Sequence, residues 1–593
     1  MIQYDSRDIK HKNPYGAVEK GTVIRFCISP SETGAGASLI IAKEYCEPDI
    51  VKGAQEGKAD NGFSFEWSGD LTGLYFYFFE VYYSDGSSEK TDTYQLTLYE
   101  YDEPESPEWL SSGVMYQIFP DRFNRSEKYT PPFQIKNHKV HDRWGQPPVH
   151  EPDEHGIVWN NDFFGGNLLG VIEKLEYLVS LGVTVIYLNP IFAAFSSHRY
   201  DTGDYNKIDP MLGSEEDFRQ LCEEAKKVGM KIVLDGVFNH TGSDSIYFNK
   251  YANYKSVGAC QGENSPYYNW YSFIFFPDVY ESWWGIDTLP SVNEREESFI
   301  DFIIRNEDSV VRHWLRAGAS GLRLDVVDEL PDVFLDALRT CVKEENKDAM
   351  IIGEVWEDAS NKIAYSDRRR YFQGKQLDSV MNYPLKDAII KFLGYDHNAE
   401  WFSGTVESLR ENYPPRAFNS LMNILGTHDT KRILTVFEES SWSYEEARQK
   451  LFSALLIWAF MPGIPCIYYG DEIGMAGGKD PFNRQCFCPD KKNEEIAIYY
   501  KHLLNFRKKI KDINKMEYVP LEAYGGYFSF RRRRGNVSIF VAVNDQNEQK
   551  IIVFDGEIIL DFLISGRVDY IGDNSFEMHE KSGITVLLTK GNK

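Results

Sequence analysis

One device recurs along this chain: a short apolar run that ends abruptly in a charged or titratable side chain. It occurs at Lys231–His240 (KIVLDGVFNH), Gly321–Glu329 (GLRLDVVDE), Ile351–Trp356 (IIGEVW) and Asn423–Asp429 (NILGTHD). A short apolar run bounded by turn residues is the pattern of a buried strand. A polar group at its end is delivered to one rim of whatever the strands build. From about residue 110, strand-like runs alternate with amphipathic stretches such as residues 170–181 and 215–229, and that alternation marks parallel βα units. Four such endings in series are the pattern of a (β/α)8 barrel, whose chemistry sits where strands give way to loops. The expected fold class is therefore α/β.

Taken in order, these four segments resemble the signature regions of glycoside hydrolase family 13, the α-amylase family. The likeness extends to Gly113–Phe123, Asn161–Leu168, Asn189–Phe192, Ser197–Thr202 and Gly463–Glu472, and covers roughly residues 110–510. It is strongest toward neopullulanase-, cyclomaltodextrinase- and amylopullulanase-type members. It implies a retaining α-glucan hydrolase that cleaves α-1,4-glucosidic bonds, with α-1,6 bonds left open, in maltodextrins, pullulan or cyclodextrins. A transglycosylase using the same covalent intermediate is the alternative. A non-catalytic carbohydrate-binding relative would lack one or more of the carboxylates that stand here.

The residues themselves assign chemistry. Arg323 and Asp325 are two apart on a strand and point the same way. A permanently charged guanidinium suits a carboxylate nucleophile, and Asp325 is expected in that role. Glu354 follows the apolar run Met350–Gly353 and precedes Val355 and Trp356, an environment expected to keep a general acid protonated. Retaining glycosidases place two such carboxyl groups about 5–5.5 Å apart. Asp429, on a later strand end, would stabilise positive charge in the transition state. The resemblance carries the same roles to Asp325, Glu354 and Asp429. It also implies that His198, Tyr200, His240, Arg323 and His428 line the site of the reacting glucose. Glu329 is expected to meet the leaving-group sugar, and Asp480 with Arg484 the next glucose on the non-reducing side. Asp235 is expected to hold Arg323 or its loop in place.

Departures from the resemblance also matter. Similar enzymes close the inserted subdomain with a Met-Pro-Lys-Leu-type segment, where Thr288–Asn293 stands here, so bond preference is left open. Related calcium loops carry more carboxylates than Asn124–Glu127 and Asn167 supply for a hard cation. No cofactor is called for; the resemblance allows calcium, but no metal ligands are assigned.

The expected organisation is an N-terminal β-sandwich over residues 1–107, a catalytic (β/α)8 barrel over 108–512, and a C-terminal β-sandwich over 513–593. A subdomain, about 241–296, is expected as an insertion after the third barrel strand, because the loop there is far longer than a barrel needs. Its rings, Tyr267, Tyr268, Trp270, Tyr271, Trp283 and Trp284, either pack within it or stack on sugar. Tyr101–Pro107 is read as the linker, and Arg531–Arg534 as a solvated hairpin end.

A net charge of −26 argues against nucleic acid and anionic membranes as partners. The expected partner is an α-glucan oligosaccharide or polysaccharide. The N-terminal sandwich leaves a homodimer as open as a monomer. The eight cysteines follow no pairing pattern. Met1–Lys10 has no apolar signal core, so a cytoplasmic location is expected. A secreted protein with its signal removed would read the same way.

Overall fold

A computed structural model describes residues 1–591 apart from 33, 56–61, 103–105, 132–137, 153, 155–157, 159 and 396. Residues 103–105 of the expected linker thus lie outside the described residues. The chain forms two compact units: Met1–Ser106 with Glu357–Asp378 and Gly404–Asn419, and Pro107–Trp356 with Ser379–Ser403 and Ser420–Lys593.

The first unit is built on two sheets, antiparallel but for Val18–Glu19, which runs parallel to Tyr94–Tyr99. Ile24–Pro30 and Phe63–Trp67 pair in one, while Gly36–Lys43, Gly73–Tyr82 and Tyr94–Tyr99 form the centre of the other. Alternation along Gly73–Tyr82 turns Tyr75, Tyr77, Phe79 and Val81 into the core with Phe26, Phe65 and Trp67. Phe76 and Phe78 are left half-buried on the other face. The segments from later in the chain are tied in by charge. Arg368 forks onto Glu44 at 2.7 Å through both nitrogens, and Arg7 meets Glu411 at 3.1 Å.

The second unit holds the barrel. Its strands are β1 (Met115–Ile118), β2 (Val185–Leu188), β3 (Lys231–Gly236), β4 (Gly321–Leu324), β5 (Met350–Gly353), β6 (Ser379–Val380), β7 (Met422–Asn423) and β8 (Ile464–Tyr468). All neighbours are parallel, in the order β6-β5-β4-β3-β2-β1-β8-β7, and a parallel bridge from Met381 to Met422 completes the ring. Alternate residues fill the interior: Met115, Val185, Tyr187, Val233, Met350, Ile352 and Ile464. Gly321 is needed for packing, since a Cβ there would lie 2.6 Å from the Met350 carbonyl oxygen. The expected helix over 170–181 is two short ones, Leu168–Glu173 and Leu175–Ser180, meeting at Lys174. Glu215–Lys227 forms as expected, opened by a capping box between Ser214 and Asp217.

After β3 the chain makes the long excursion, which carries the two-stranded pair Phe273–Phe275 and Val279–Tyr280. Trp270 and Tyr271 are buried within it, beside Tyr247, Phe248 and Phe299. Trp284 alone among the six rings is largely exposed, at 80%.

Beyond the barrel, Glu517–Tyr524, Tyr527–Arg534, Val537–Asn544, Ser582–Lys590 and Glu557–Ser565 form one antiparallel sheet. Lys550–Val553, Ser575–Met578 and Val568–Gly572 form a second. Phe540, Ile584 and Val586 from the first pack with Ile552, Phe576 and Met578 from the second, making a sandwich. The arginine run in this region departs from expectation. Strand alternation turns Arg532 inward, where it is 1% exposed and donates to the Met516, Phe460 and Ile513 carbonyls. Its neighbours Arg531, Arg533 and Arg534 pair outward with Glu557, Glu517 and Asp512.

Candidate active site

The register of the barrel decides the centre of the site. Asp235 and Arg323 are direct partners across β3 and β4, and both side chains are fully buried. Arg323 Nη1 lies 2.9 Å from Asp235 Oδ1 and 2.8 Å from Asp325 Oδ1, while Nη2 lies 2.7 Å from Glu354 Oε2. One guanidinium therefore serves three carboxylates, not Asp325 alone.

Burial raises Asp325 well above the usual carboxylate range; Arg323 opposes this, and Glu354 and Asp235 add to it. Burial likewise raises Asp235. Arg323 does favour the ionised form of Asp325, as the sequence suggests, but it acts against burial. One guanidinium is shared among these carboxylates, so Arg323 offsets the effect of burial on Asp325 and Asp235 only in part.

Glu354 is held at both oxygens. Oε2 also accepts from the Val326 N–H at 3.0 Å, and Oε1 accepts from Trp356 Nε1 at 3.0 Å. The Trp356 ring stacks on Tyr383, with centroids 4.0 Å apart. Val326 adopts φ 37° and ψ 58°, a left-handed conformation that costs a β-branched residue about 1–3 kcal/mol. That turn aims the Val326 amide at Glu354 immediately after Asp325.

The fourth strand-end motif brings His428 and Asp429 alongside. His428 Nε2 lies 3.1 Å from Asp429 Oδ2, and Asp429 stays open to solvent. Arg484 arrives on a loop after β8. Its Nε donates to the His428 carbonyl at 2.9 Å, Nη2 lies 3.3 Å from Asp429, and Nη1 lies 2.9 Å from Asp480. Asn483 braces the same turn through the Thr427, His428 and Thr430 carbonyls. The Asp480–Arg484 pair is thus joined to Asp429.

Tyr200 stacks on His428 with rings 5.1 Å apart and 2° from parallel, and its hydroxyl lies 2.6 Å from Nε2. His198 is fixed by Ser196 Oγ at 3.0 Å. Burial, with Arg484, His240 and His428 nearby, holds His198 well below the usual imidazole range. Burial pushes His240 down to about 4, and Trp283 packs 5.3 Å from its ring. Glu329 reaches Asn239, whose Nδ2 lies 2.5 Å from Oε2.

Several neighbours were not singled out from the sequence: Tyr187, Gln117, Asn189 and Tyr383. Tyr187 donates to Asp235 at 2.6 Å, and Gln117 Nε2 lies 3.0 Å from His428 Nδ1. Strand parity was the available signal, since Gln117 shares the inward face of β1 with Met115.

The chain matches the family described as Alpha amylase, catalytic domain, over residues 117–520. This chain belongs to the α-amylase family. It is 35% identical to an amylopullulanase of Thermoanaerobacter thermohydrosulfuricus over 90% of this chain and 40% of that protein. It is 34% identical to a cyclomaltodextrinase of Thermoanaerobacter pseudethanolicus, over 75% of this chain and 72% of that one. Among solved structures it resembles the type III pullulan hydrolase from Thermococcus kodakarensis at a TM-score of 0.69 and 26% identity, with 100% of both chains covered. The chain spans between 36% and 51% of the length of the amylopullulanases it matches.

Asn124 and Asn167 offer a calcium ion no negative charge. Asn124 Nδ2 donates to the Gly170 carbonyl, and Asn167 accepts from Gly170 N while donating to the Ser126 and Gly165 carbonyls. Nearby Glu173 is occupied by Ser126 Oγ and Lys128. With Asn167 Oδ1 already accepting from backbone and Glu173 beside an ammonium, the set is a weak one for a hard cation. Among the described residues, Asp569, Glu577 and His579 lie close enough to share an ion, but Arg567 already pairs with Asp569. No disulfide joins the described cysteines, and no described helix is long and apolar enough to cross a membrane.

Proposed function

We propose that this chain is a retaining α-glucan hydrolase acting on α-1,4 bonds of short maltodextrins, pullulan or cyclodextrins. The observation that carries the reading is the single guanidinium of Arg323 touching both Asp325 and Glu354. Two carboxyl groups bridged in this way suit the roughly 5 Å separation that double displacement requires.

In this reading Glu354 is the general acid that delivers a proton to the glycosidic oxygen. Asp325, left ionised beside Arg323, attacks C1 from the opposite face and forms the glycosyl-enzyme ester. Glu354, now a base, removes a proton from water as that water displaces Asp325. Asp429 and His428 meet the hydroxyls of the reacting glucose, and Asp429 stabilises its oxocarbenium charge. Asp480 with Arg484 and Glu329 with Asn239 bind the sugars on either side. No step runs through a metal.

The test is product analysis. NMR of the first product from maltotriose should show the α-anomer, and an initial β-anomer would sink the mechanism. From pullulan, panose indicates α-1,4 cleavage and maltotriose α-1,6 cleavage. Products longer than the substrate would move the reading to a transglycosylase.

A further inference from the structure

A closed chain of buried hydrogen bonds runs from Asp235 to His428, and its direction can be worked out proton by proton. Asp235 Oδ1 takes an N–H of Arg323, so the carboxylate acts as an acceptor. Its Oδ2 accepts the hydroxyl protons of Tyr187 at 2.6 Å and Tyr200 at 2.8 Å. Tyr200 has one proton and has spent it. Its oxygen must therefore accept from its two other neighbours, Asn189 Nδ2 at 2.9 Å and His428 Nε2 at 2.6 Å.

Because Asn189 turns its nitrogen to Tyr200, it turns its oxygen to Gln117. Gln117 must then present Nε2, which lies 3.1 Å from Asn189 Oδ1 and 3.0 Å from His428 Nδ1. The two hydrogens of that one nitrogen serve both acceptors. The amide's other end, Oε1, is buried without a partner, a cost of about 1–3 kcal/mol. The flipped amide would set Oε1 against Asn189 Oδ1. A second contact agrees independently: His428 Nε2 lies 3.1 Å from Asp429 Oδ2, which takes an N–H and repels a lone pair.

We propose that Gln117 and Asn189 are positioning residues that hold His428 as the imidazole protonated on Nε2 alone, with that N–H aimed at Tyr200 and Asp429. The inference rests on the reading of His428 and Asp429 as part of the reacting site. Burial, Arg484 and Arg323 hold the ring well below the usual imidazole range, so it stays neutral. The titratable and charged groups around it are Asp429, Arg484, Arg323, Tyr200 and His198. A neutral ring with a committed N–H keeps a donor facing the sugar and Asp429 across the working pH range. The opposite tautomer would face Asp429 with a lone pair.

Neutron diffraction from deuterated crystals of the wild-type chain tests this directly. Deuterium is expected on His428 Nε2 and not on Nδ1; deuterium on Nδ1 overturns the proposal whatever the activity. Gln117→Glu puts an acceptor against Nδ1 and should place deuterium on both nitrogens. Its kcat/KM on maltotriose should fall by roughly 10- to 100-fold, the usual cost of losing a residue that orients a functional imidazole. The Gln117→Glu profile should gain an ionisation in the neutral range, which Gln117→Met, with neither donor nor acceptor, should lack. Identical pH profiles in wild type and Gln117→Glu would also overturn it. If the wild-type chain hydrolyses no α-glucan, the proposed function fails, while the deuterium position still decides the role of Gln117.

Discussion

Arg323 and Arg532 are both turned inward by strand alternation, and each is at most 1% exposed. Their neighbours make them different. Arg532 donates to three backbone carbonyls, and burial pushes its pKa down to about 10. Arg323 faces Asp235, Asp325 and Glu354; burial alone would lower it, but Asp235 and Glu354 hold it well above its ordinary value. Carbonyl dipoles satisfy a buried cation and leave nothing to titrate. Carboxylates satisfy it and are themselves titratable. The same side chain thus locks the junction of helix and C-terminal sheet in one place and, in the proposed mechanism, supports acid–base chemistry in the other.

The contrast breaks most sharply at the nucleophile. Asp325→Asn should lower kcat on maltotriose by on the order of 10⁴-fold or more with no loss of the folded state. Substantial remaining turnover would mean the nucleophile lies elsewhere. Arg323→Met should lose activity and stability together, since removing one partner of a buried ion pair costs about 3–5 kcal/mol. Thermal unfolding measured beside kcat would show it, and an unchanged midpoint would deny that Arg323 holds the cluster.

Arg532→Met should do the reverse. Orphaned carbonyls, partly offset by no longer burying a charge, should cost about 1–3 kcal/mol, while activity per folded molecule stays at the wild-type value. A fall in kcat at full folding would end the comparison. The smallest effect is a pH shift. Asp325 must be ionised to attack, and burial, with Glu354 and Asp235 adding to it, raises its pKa, so activity should fail on the acid side at a higher pH than a free aspartate near 3.9 would dictate. In Glu354→Gln one of those neighbours loses its charge. The acid limb for 4-nitrophenyl maltoside, whose leaving group needs little protonation, should move to lower pH. A shift upward would contradict the influence of Glu354 on Asp325.

Parity explains both what could be read ahead and what could not. The two-residue spacing of Arg323 and Asp325 correctly places them on one face, and the abrupt endings of β3, β4 and β5 mark the rim of the barrel. Parity also sends Arg532 inward, against the simpler expectation of a solvated charge run, because Phe528 and Phe530 share its face. Helical periodicity over 170–181 did not reveal the break at Lys174, since the apolar spacing continues across it.

The sequence by itself determined the barrel class, the chain order of its strand-end groups and the identity of the acids among them, because local periodicity and abrupt polarity changes are written in adjacent residues. Tertiary structure alone decided which acid meets which base. Asp235 meets Arg323 through the register of two strands 88 residues apart at these side chains. Arg484 reaches Asp429 across 55 residues of helix and loop. Gln117, from β1, orients His428 across 311. Contacts at such separations depend on strand register and ring closure, which no local pattern encodes, and on one guanidinium being shared by three carboxylates that the sequence presents only one at a time.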